Sequence, residues 1–325
     1  MTVLVTGGAG YIGSHTVYAL LDRGDNVVVL DDLSTGMKAQ VGEKAVFVQG
    51  NVADAALVKK ILTEHSVDSV IHFAGSIVVP DSVADPLGYY ENNVVKSRAL
   101  IEACVASGVK HFIFSSTAAV YDADAKQPLA EAERKGPISP YARSKLMTEW
   151  MLEDVSRAHP MRHTVLRYFN VAGADPQGRT GQSTPKATHL IKRAAQVVLG
   201  RAPHLDMFGT DYPTPDGTGV RDYIHVTDLA AAHLLALDAL QAGAPSTVYN
   251  CGYGRGFSVR EVIHGVERVT GRPLPVKESP RRAGDPPMLV SDPGRIKKEL
   301  GWTPQHDDLD GIIASAIAWE RRFNT

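Results

Sequence analysis

A tyrosine and a lysine four residues apart project from one face of any helix that contains them, and Tyr141-Ala142-Arg143-Ser144-Lys145 has that spacing. Ser115-Ser116-Thr117 lies shortly upstream. The pairing suits a base. An unperturbed phenol has a pKa of about 10, and bringing it to about 7 needs roughly 4 kcal/mol of preferential phenolate stabilisation, at about 1.36 kcal/mol per unit. The Lys145 ammonium together with a positively charged bound cofactor supplies stabilisation of that sign. Thr117 then offers a hydroxyl to share the proton or to position a substrate hydroxyl. Tyrosine and lysine at this spacing also occur by chance on amphipathic helices, so the pair gains its meaning from the elements around it.

Residues 2–6 form a short β-branched run that ends in Gly7-Gly8-Ala9-Gly10-Tyr11-Ile12-Gly13, and residues 14–23 read as a helix. Strand, glycine turn and helix follow in the order that a phosphate cradle requires. Gly7 permits the tight turn, Gly10 lets a pyrophosphate approach the backbone, and Gly13 lets helix and strand pack closely. The helix N-terminus offers unpaired amides to the anion. A second buried strand, 27–30, ends in Asp31-Asp32, near the spacing at which a carboxylate accepts hydrogen bonds from an adenosine ribose. An acid at Asp31 disfavours a 2′-phosphate, so the expected cofactor is NAD rather than NADP.

Strand-like runs recur at 45–48, 69–73, 111–114 and 164–168, separated by helical stretches at 53–65, 89–107 and 140–158. This alternation predicts an α/β fold: a Rossmann-type doubly wound parallel sheet with helices on both faces and right-handed crossovers. Ala74-Gly75, just past the fourth strand, and Ser115-Ser116-Thr117, just past the fifth, fall at the carboxyl ends where ligands of such sheets collect. Beyond about residue 170 the alternation breaks into Gly/Pro-rich pieces, with helices expected at 226–242, 258–270 and 309–323. The expected organisation is a nucleotide-binding domain over 1–170, with a segment at about 221–251 packing back on it. A smaller α/β lobe over 171–325 is expected to hold the substrate. Arg221 and the Arg281-Arg282 pair are expected in loops, where guanidinium groups can grip a diphosphate. Apolar residues such as Leu100, Ile101, Leu146 and Met151 keep broad helix faces, wide enough for a two-fold helix-bundle contact.

Composition narrows the remaining choices. A net charge of −2 with 44% hydrophobic and 22% charged residues lacks the basic excess of a general nucleic-acid binder. Cys104 and Cys251 form no metal-ligand spacing, so neither a disulfide scaffold nor a metal is expected. His15 and His72 adjoin apolar runs and read as structural. The first strand leaves no room for a signal peptide and no apolar run approaches a membrane span, so cytoplasmic residence without membrane association is the expectation.

GGAGYIG at 7–13, the SST with Y-x-x-x-K, LRYFNVAGA at 166–174, DYPTPDGTGVRDYIHV at 211–226 and RRAGD at 281–285 are together similar to one family. Over nearly its whole length the chain resembles the UDP-glucose 4-epimerases, also called UDP-galactose 4-epimerases, of the extended short-chain dehydrogenase/reductase superfamily. The first two motifs mark the superfamily, whereas 211–226 is more particular to the epimerases. The resemblance implies NAD with its pyrophosphate at Gly7, Gly10, Tyr11 and Ile12 and its adenosine ribose at Asp31 and Asp32. It implies further cofactor contacts from Asn51, Val52, Phe73, Ala74, Gly75, Asn93 and Ser115, with Tyr168 at the nicotinamide end. Lys145 would contact the nicotinamide ribose and lower the pKa of Tyr141, which would take the proton from the sugar 4-hydroxyl beside Thr117. The UDP grip would come from Arg221, Arg282 and Asp285, with Asn170, His189, Leu190, Phe208 and Tyr223 nearby. A homodimer is implied as well.

The chain departs from the commoner epimerase pattern at four positions. Ile77 replaces a lysine, Asn51 an aspartate and Asp122 a glycine, while Leu289 occupies the position that gates N-acetylated sugars. Rival readings are a UDP-N-acetylhexosamine 4-epimerase, a nucleotide-sugar 4,6-dehydratase, a UDP-glucuronate decarboxylase and a non-catalytic NAD sensor. Dehydratases place acids directly after the active-site Ser/Thr; here Ala118-Ala119 follow Thr117, and alanine cannot transfer a proton.

Overall fold

The structure is a computed structural model that describes residues 1–184, 188–282 and 285–323. Its first half alternates strand and helix: β1 (Thr2–Thr6), α1 (Tyr11–Arg23), β2 (Asn26–Asp31), β3 (Val46–Gln49), α2 (Ala55–Glu64), β4 (Ser69–His72), α3 (Val79–Ala84), α4 (Pro86–Tyr90), α5 (Lys96–Ala106), β5 (His111–Thr117), α6 (Pro140–Ala158) and β6 (Arg162–Tyr168). The second half adds β7 (Asn170–Ala172), α7 (Leu190–Val198), β8 (Leu205–Phe208), β9 (Val220–His225), α8 (Val226–Gln241), β10 (Thr247–Cys251), β11 (Gly256–Ser258), α9 (Val259–Thr270), β12 (Val276–Ser279), β13 (Met288–Leu289), α10 (Gly294–Leu300) and α11 (Leu309–Phe323).

Seven strands form one sheet in the order β10-β6-β5-β4-β1-β2-β3, and every pairing in it is parallel. This is the Rossmann-type α/β arrangement that the alternation predicts. Parallel strands buried on both faces need continuous apolar side chains, which the Val/Leu/Ile/Phe runs of β1, β2, β4 and β5 provide. One face packs under α1 and α8, with Val17, Leu20, Leu229 and Leu237 in its core. The other packs under α2, α5 and α6, with Val58, Leu62, Leu100 and Leu152. The order in which successive strands are added reverses between β1 and β4. Phe73 N donates to Thr6 O at 3.0 Å there, and Gly7 N donates to Leu30 O at 2.9 Å, so the glycine turn emerges at the crevice where such sheets bind ligands.

α6 spans the residues expected of it, and its ends explain why. Pro140 occupies the first turn, where its missing N–H costs nothing, and the Ser139 side chain accepts from Ala142 N at 3.2 Å. The helix buries Tyr141, Lys145, Thr148, Glu149 and Leu152, one stripe at helical spacing.

Other expectations shift. The helix expected over 89–107 is present, beginning three residues earlier and running through a π-helical turn. Asp85 caps α4 at Gly88 N, and a π-helical turn at Glu91–Val95 leads into α5. The inserted residue turns Asn93 inward, where its Oδ1 accepts from Ser76 N at 2.7 Å and its Nδ2 donates to Ser144 Oγ at 3.0 Å. Ser115-Ser116-Thr117 lie inside β5 rather than past it, because pairing with Leu166, Arg167 and Tyr168 of β6 continues to the strand end. Arg221 is on β9 rather than in a loop, with Leu289 of β13 beside it in register.

The second half builds its own core from α7, α9 and α11 around Ile191, Val262, Ile313 and Ile317. It also returns to the large sheet, as β10 pairs with β6 and α8 packs on α1. Among the described residues no helix is long and apolar enough to cross a membrane.

Candidate active site

Three neighbouring elements deliver the chemistry. Thr117 ends β5 and Tyr141 lies in the first turn of α6, with the Thr117 side chain near enough to the phenol to lower its pKa. Lys145, one turn further, donates to Ser115 O at 3.0 Å, and its Nζ lies 5.0 Å from the centre of the Phe114 ring. Ser115 Oγ donates to the Tyr168 hydroxyl at 3.0 Å. Thus Thr117, Tyr141, Lys145, Ser115 and Tyr168, read as one constellation from sequence, share one corner at the carboxyl ends of β5 and β6.

The electrostatics of that corner are set by burial. Burial pushes the Tyr141 phenol well above its ordinary value; the neighbouring Tyr168 and Tyr89 add to this, and the Thr117 hydrogen bond works against it. Burial also pulls Lys145 down to about 8, with Glu149 acting in the opposite sense. Burial thus works against charge on both groups; Lys145 is still mainly an ammonium at neutral pH, while the phenolate needs added positive charge beside it. Tyr168 is pushed up to about 12, again by burial first, so it stays a neutral hydroxyl.

The glycine turn fits a dinucleotide. Gly7 has a φ of 71°, and a Cβ there would stand 2.6 Å from Ala74 N. A Cβ on Gly13 would lie 2.2 Å from Gly7 O, so α1 can approach β1 this closely only at glycine. Gly10 faces open space apart from Gly7 O at 3.2 Å, and no side chain caps α1 there, which leaves first-turn amides at Tyr11 and Ile12 for an anion. Asp31 closes the far side. Its Oδ2 accepts from Ala9 N at 2.9 Å and its Oδ1 from Leu33 N at 2.8 Å, which aims the carboxylate along the glycine turn. Asp32 is exposed and accepts from Ser34 N. Asn51 caps its own turn by accepting from Ala53 N, with Val52 buried beside it. Phe73 packs on His233, and Gly75 lies against Asn93 and Lys145, where a Cβ would stand 3.8 Å from the Lys145 Nζ. The residues present suit an NAD molecule. The Tyr11 side chain turns away from the turn and donates to Gly173 O at 2.7 Å, so a pyrophosphate contact from this residue is left to its backbone.

The residues expected at the substrate fall into two groups. Asn170, His189, Leu190 and Tyr223 line one cleft, together with Tyr11 and Trp319. His189 precedes the first turn of α7 and is kept neutral by burial and then by the nearby Lys192. Arg221, Asp285, Arg282 and Phe208 form the other group. Arg221 Nη2 lies 3.9 Å from Asp285 Oδ1, and the Arg282 guanidinium stacks 3.8 Å from the centre of the Phe208 ring. Within the RRAGD segment, Ala283 and Gly284 lie outside the described residues.

The sequence pattern of the NAD-dependent epimerase/dehydratase family matches residues 3–252, a span that takes in the glycine turn, the Tyr/Lys pair and Arg221. The chain belongs to this family. Within it, a UDP-glucose 4-epimerase of Azospirillum brasilense is 56% identical over 98% of this chain and 92% of its own length. The crystal structure of a UDP-glucose 4-epimerase from Brucella ovis in complex with NAD is 45% identical and superposes with a TM-score of 0.94 over 98% of this chain and 97% of that one. A Bifidobacterium longum UDP-glucose 4-epimerase in complex with NAD+ and UDP is 39% identical, with a TM-score of 0.94 over 99% of this chain and 98% of that one.

One set of residues in this epimerase-family fold escaped the sequence reading. Glu149, Arg167, Ser116 and Tyr121 form a buried polar network directly beneath Lys145. Glu149 follows Lys145 at helical spacing, which is a signal in the sequence, but its partner Arg167 is identifiable only once β6 is known to lie against α6.

Proposed function

We propose that the chain reversibly inverts C4 of UDP-glucose and UDP-galactose through a transient 4-keto sugar, as an NAD-dependent isomerase. The observation that carries this reading is the Tyr141, Thr117 and Lys145 corner, set at the mouth of a dinucleotide cradle. NAD, when bound, supplies the oxidant that takes hydrogen from C4 and returns it. The chain's own groups do the rest. Tyr141, its pKa drawn down by the Lys145 ammonium and the charge of the bound cofactor, holds and releases the proton of the 4-hydroxyl, while Thr117 orients that hydroxyl. Arg221, Arg282 and Asp285, with Asn170, His189, Leu190, Phe208 and Tyr223, hold the nucleotide. Firm contacts on the UDP and few on the hexose let the ring present either face, which inversion requires and a tightly held ring would forbid.

The proposed organisation is a nucleotide-binding domain over 1–170 joined by about 221–251, and a UDP-sugar lobe over the rest of 171–325. A cytoplasmic homodimer is the proposed working form. Supporting it are Leu87, Val95 and Trp150 of α4, the π-helical turn and α6, which are 78%, 48% and 54% exposed despite their apolar character. Cys104 and Cys251 are buried thiols, as suits a reducing compartment.

Incubating the purified protein with UDP-galactose and following UDP-glucose, with no added reductant, tests the activity. Conversion toward a mixture of both sugars is expected, and no conversion by protein that carries NAD would defeat the proposal.

A further inference from the structure

Glu149 lies one turn beyond Lys145 on α6 and is fixed from two strands at once. From β5, Ser116 Oγ donates to its Oε1 at 2.5 Å. From β6, Arg167 donates through Nε to both oxygens at 3.0 and 3.2 Å and through Nη2 to Oε2 at 2.5 Å. Arg167 is itself aimed by Tyr121, whose hydroxyl accepts from Nη1 at 3.0 Å and donates to Asn250 Oδ1 at 2.7 Å. Glu149 and Arg167 are both nearly inaccessible to solvent. A buried ion pair is weak support for stability, since packed apolar residues often serve as well. Its position calls for another reason, because these elements also carry Thr117, Tyr141, Lys145 and Tyr168.

We propose that Glu149, aimed by Arg167 and Ser116, is a positioning residue for the Tyr141 and Lys145 pair, holding the proton on the ammonium so that the phenol is the group that ionises. This rests on the reading of Tyr141 as the base. When two coupled groups give up one proton, either can lose it, and neighbouring charge decides which. Glu149 is the buried anion on Lys145's own helix and favours the charged amine; Glu153 and Asp154 of that helix are exposed. Among the described residues the other faces offer no competing anion. His72 of β4 is neutral, pushed down to about 3 by burial and then by Lys145; β5 presents the Ser115 carbonyl and the Phe114 ring; Tyr89 of α4 and Tyr168 of β6 are neutral phenols; and the cation of β6, Arg167, is engaged by Glu149.

The test compares the parent protein with Glu149→Gln and the double variant Glu149→Gln/Arg167→Gln, all in the NAD-bound form. Near-ultraviolet absorbance near pH 8 measures the Tyr141 phenolate, each protein being referenced to its own Tyr141→Phe counterpart and normalised to bound NAD. Losing about one pKa unit of preference lowers the ratio of phenolate to phenol in Glu149→Gln about tenfold, and kcat for UDP-galactose falls with the phenolate fraction. KM stays within about twofold, since no substrate contact is removed. The double variant relieves the uncompensated Arg167 charge, so it restores whatever is merely structural, and its phenolate is expected to stay low. An unchanged phenolate in Glu149→Gln, or full recovery in the double variant, overturns the proposal. Conversion of UDP-galactose by the parent reports on the activity reading separately, whatever the variants do.

Discussion

Replacing Gly13 by alanine places a methyl group against backbone that cannot retreat. The new Cβ would lie 2.2 Å from Gly7 O and 2.9 Å from both Gly7 C and Gly8 Cα. Gly7 is wedged from its other side, where its own Cβ position is 2.6 Å from Ala74 N, so the turn has no room to slide away. Overpacking of this kind costs about 1–3 kcal/mol. If the turn holds its shape, the cost appears as a melting temperature lowered by about 2–6 °C, at about 2 °C per kcal/mol for a chain of this size. If the turn deforms instead, the same energy appears as about 5- to 150-fold weaker NAD binding, because the displaced amides are those that receive the pyrophosphate. The assay is thermal unfolding with and without NAD, together with NAD released per protein on denaturation. Gly24→Ala is the control. Its φ of 90° makes alanine strained there too, at about 1 kcal/mol, but nothing lies within 4 Å and no ligand group is near. Gly13→Ala that melts with the parent and holds the same NAD would refute the close-packing argument.

Further outcomes follow from the same geometry. Tyr141→Phe is expected to keep its NAD content and stability while kcat falls by about 100- to 10,000-fold, the range for losing a general base; unchanged turnover in a coupled assay would reassign that role. Arg221→Met is expected to weaken UDP binding about tenfold to a hundredfold by calorimetry without altering NAD content, the effect of losing a charged hydrogen-bond donor. Five buried histidines, His15, His72, His163, His225 and His233, are held neutral by burial, with pKa values pulled from 6.5 to about 4, 3, 4, 3 and 4. Unfolding frees them to take up protons below pH 6.5, so stability is complete above that value and falls as the pH drops toward about 4. Each contributes about 1.4 kcal/mol per pH unit to the loss, and a urea midpoint that is flat between about pH 7 and pH 5 would contradict this. Trp150→Glu is expected to give a monomer by light scattering, by burying a charge in the proposed helix-bundle contact.

The nucleotide half was legible because its signals are local. A β-branched run, a glycine turn and a helix occupy neighbouring residues, and the Pro140 start and four-residue spacing of α6 put Tyr141 and Lys145 on one buried face without knowledge of any partner. The second half was not, because its strands are short and paired at long range. β13 has two residues and finds its place only against β9, and β10 rejoins the sheet beside β6 after the chain has left it. The Gly/Pro-rich stretch at 212–219 just before it suggested a loop around Arg221, although Val220, Asp222 and Tyr223 are buried there and the backbone completes a ladder with β11 and β13. The helix expected over 89–107 formed, but its π-helical turn was not legible, because that insertion answers to Ser76 and Ser144, which are remote in sequence. The Glu149 and Arg167 pair likewise depends on packing between elements.

The central claim is that one proton carrier and one bound redox cofactor act on the same sugar carbon from within a single site. UDP-galactose deuterated at C4, incubated with the NAD-bound protein in ordinary water, tests it most directly. The account predicts UDP-glucose that keeps the deuterium at C4 with no external oxidant or reductant consumed. Product that has lost the label to solvent, or substrate recovered unchanged from protein with its NAD in place, would contradict it.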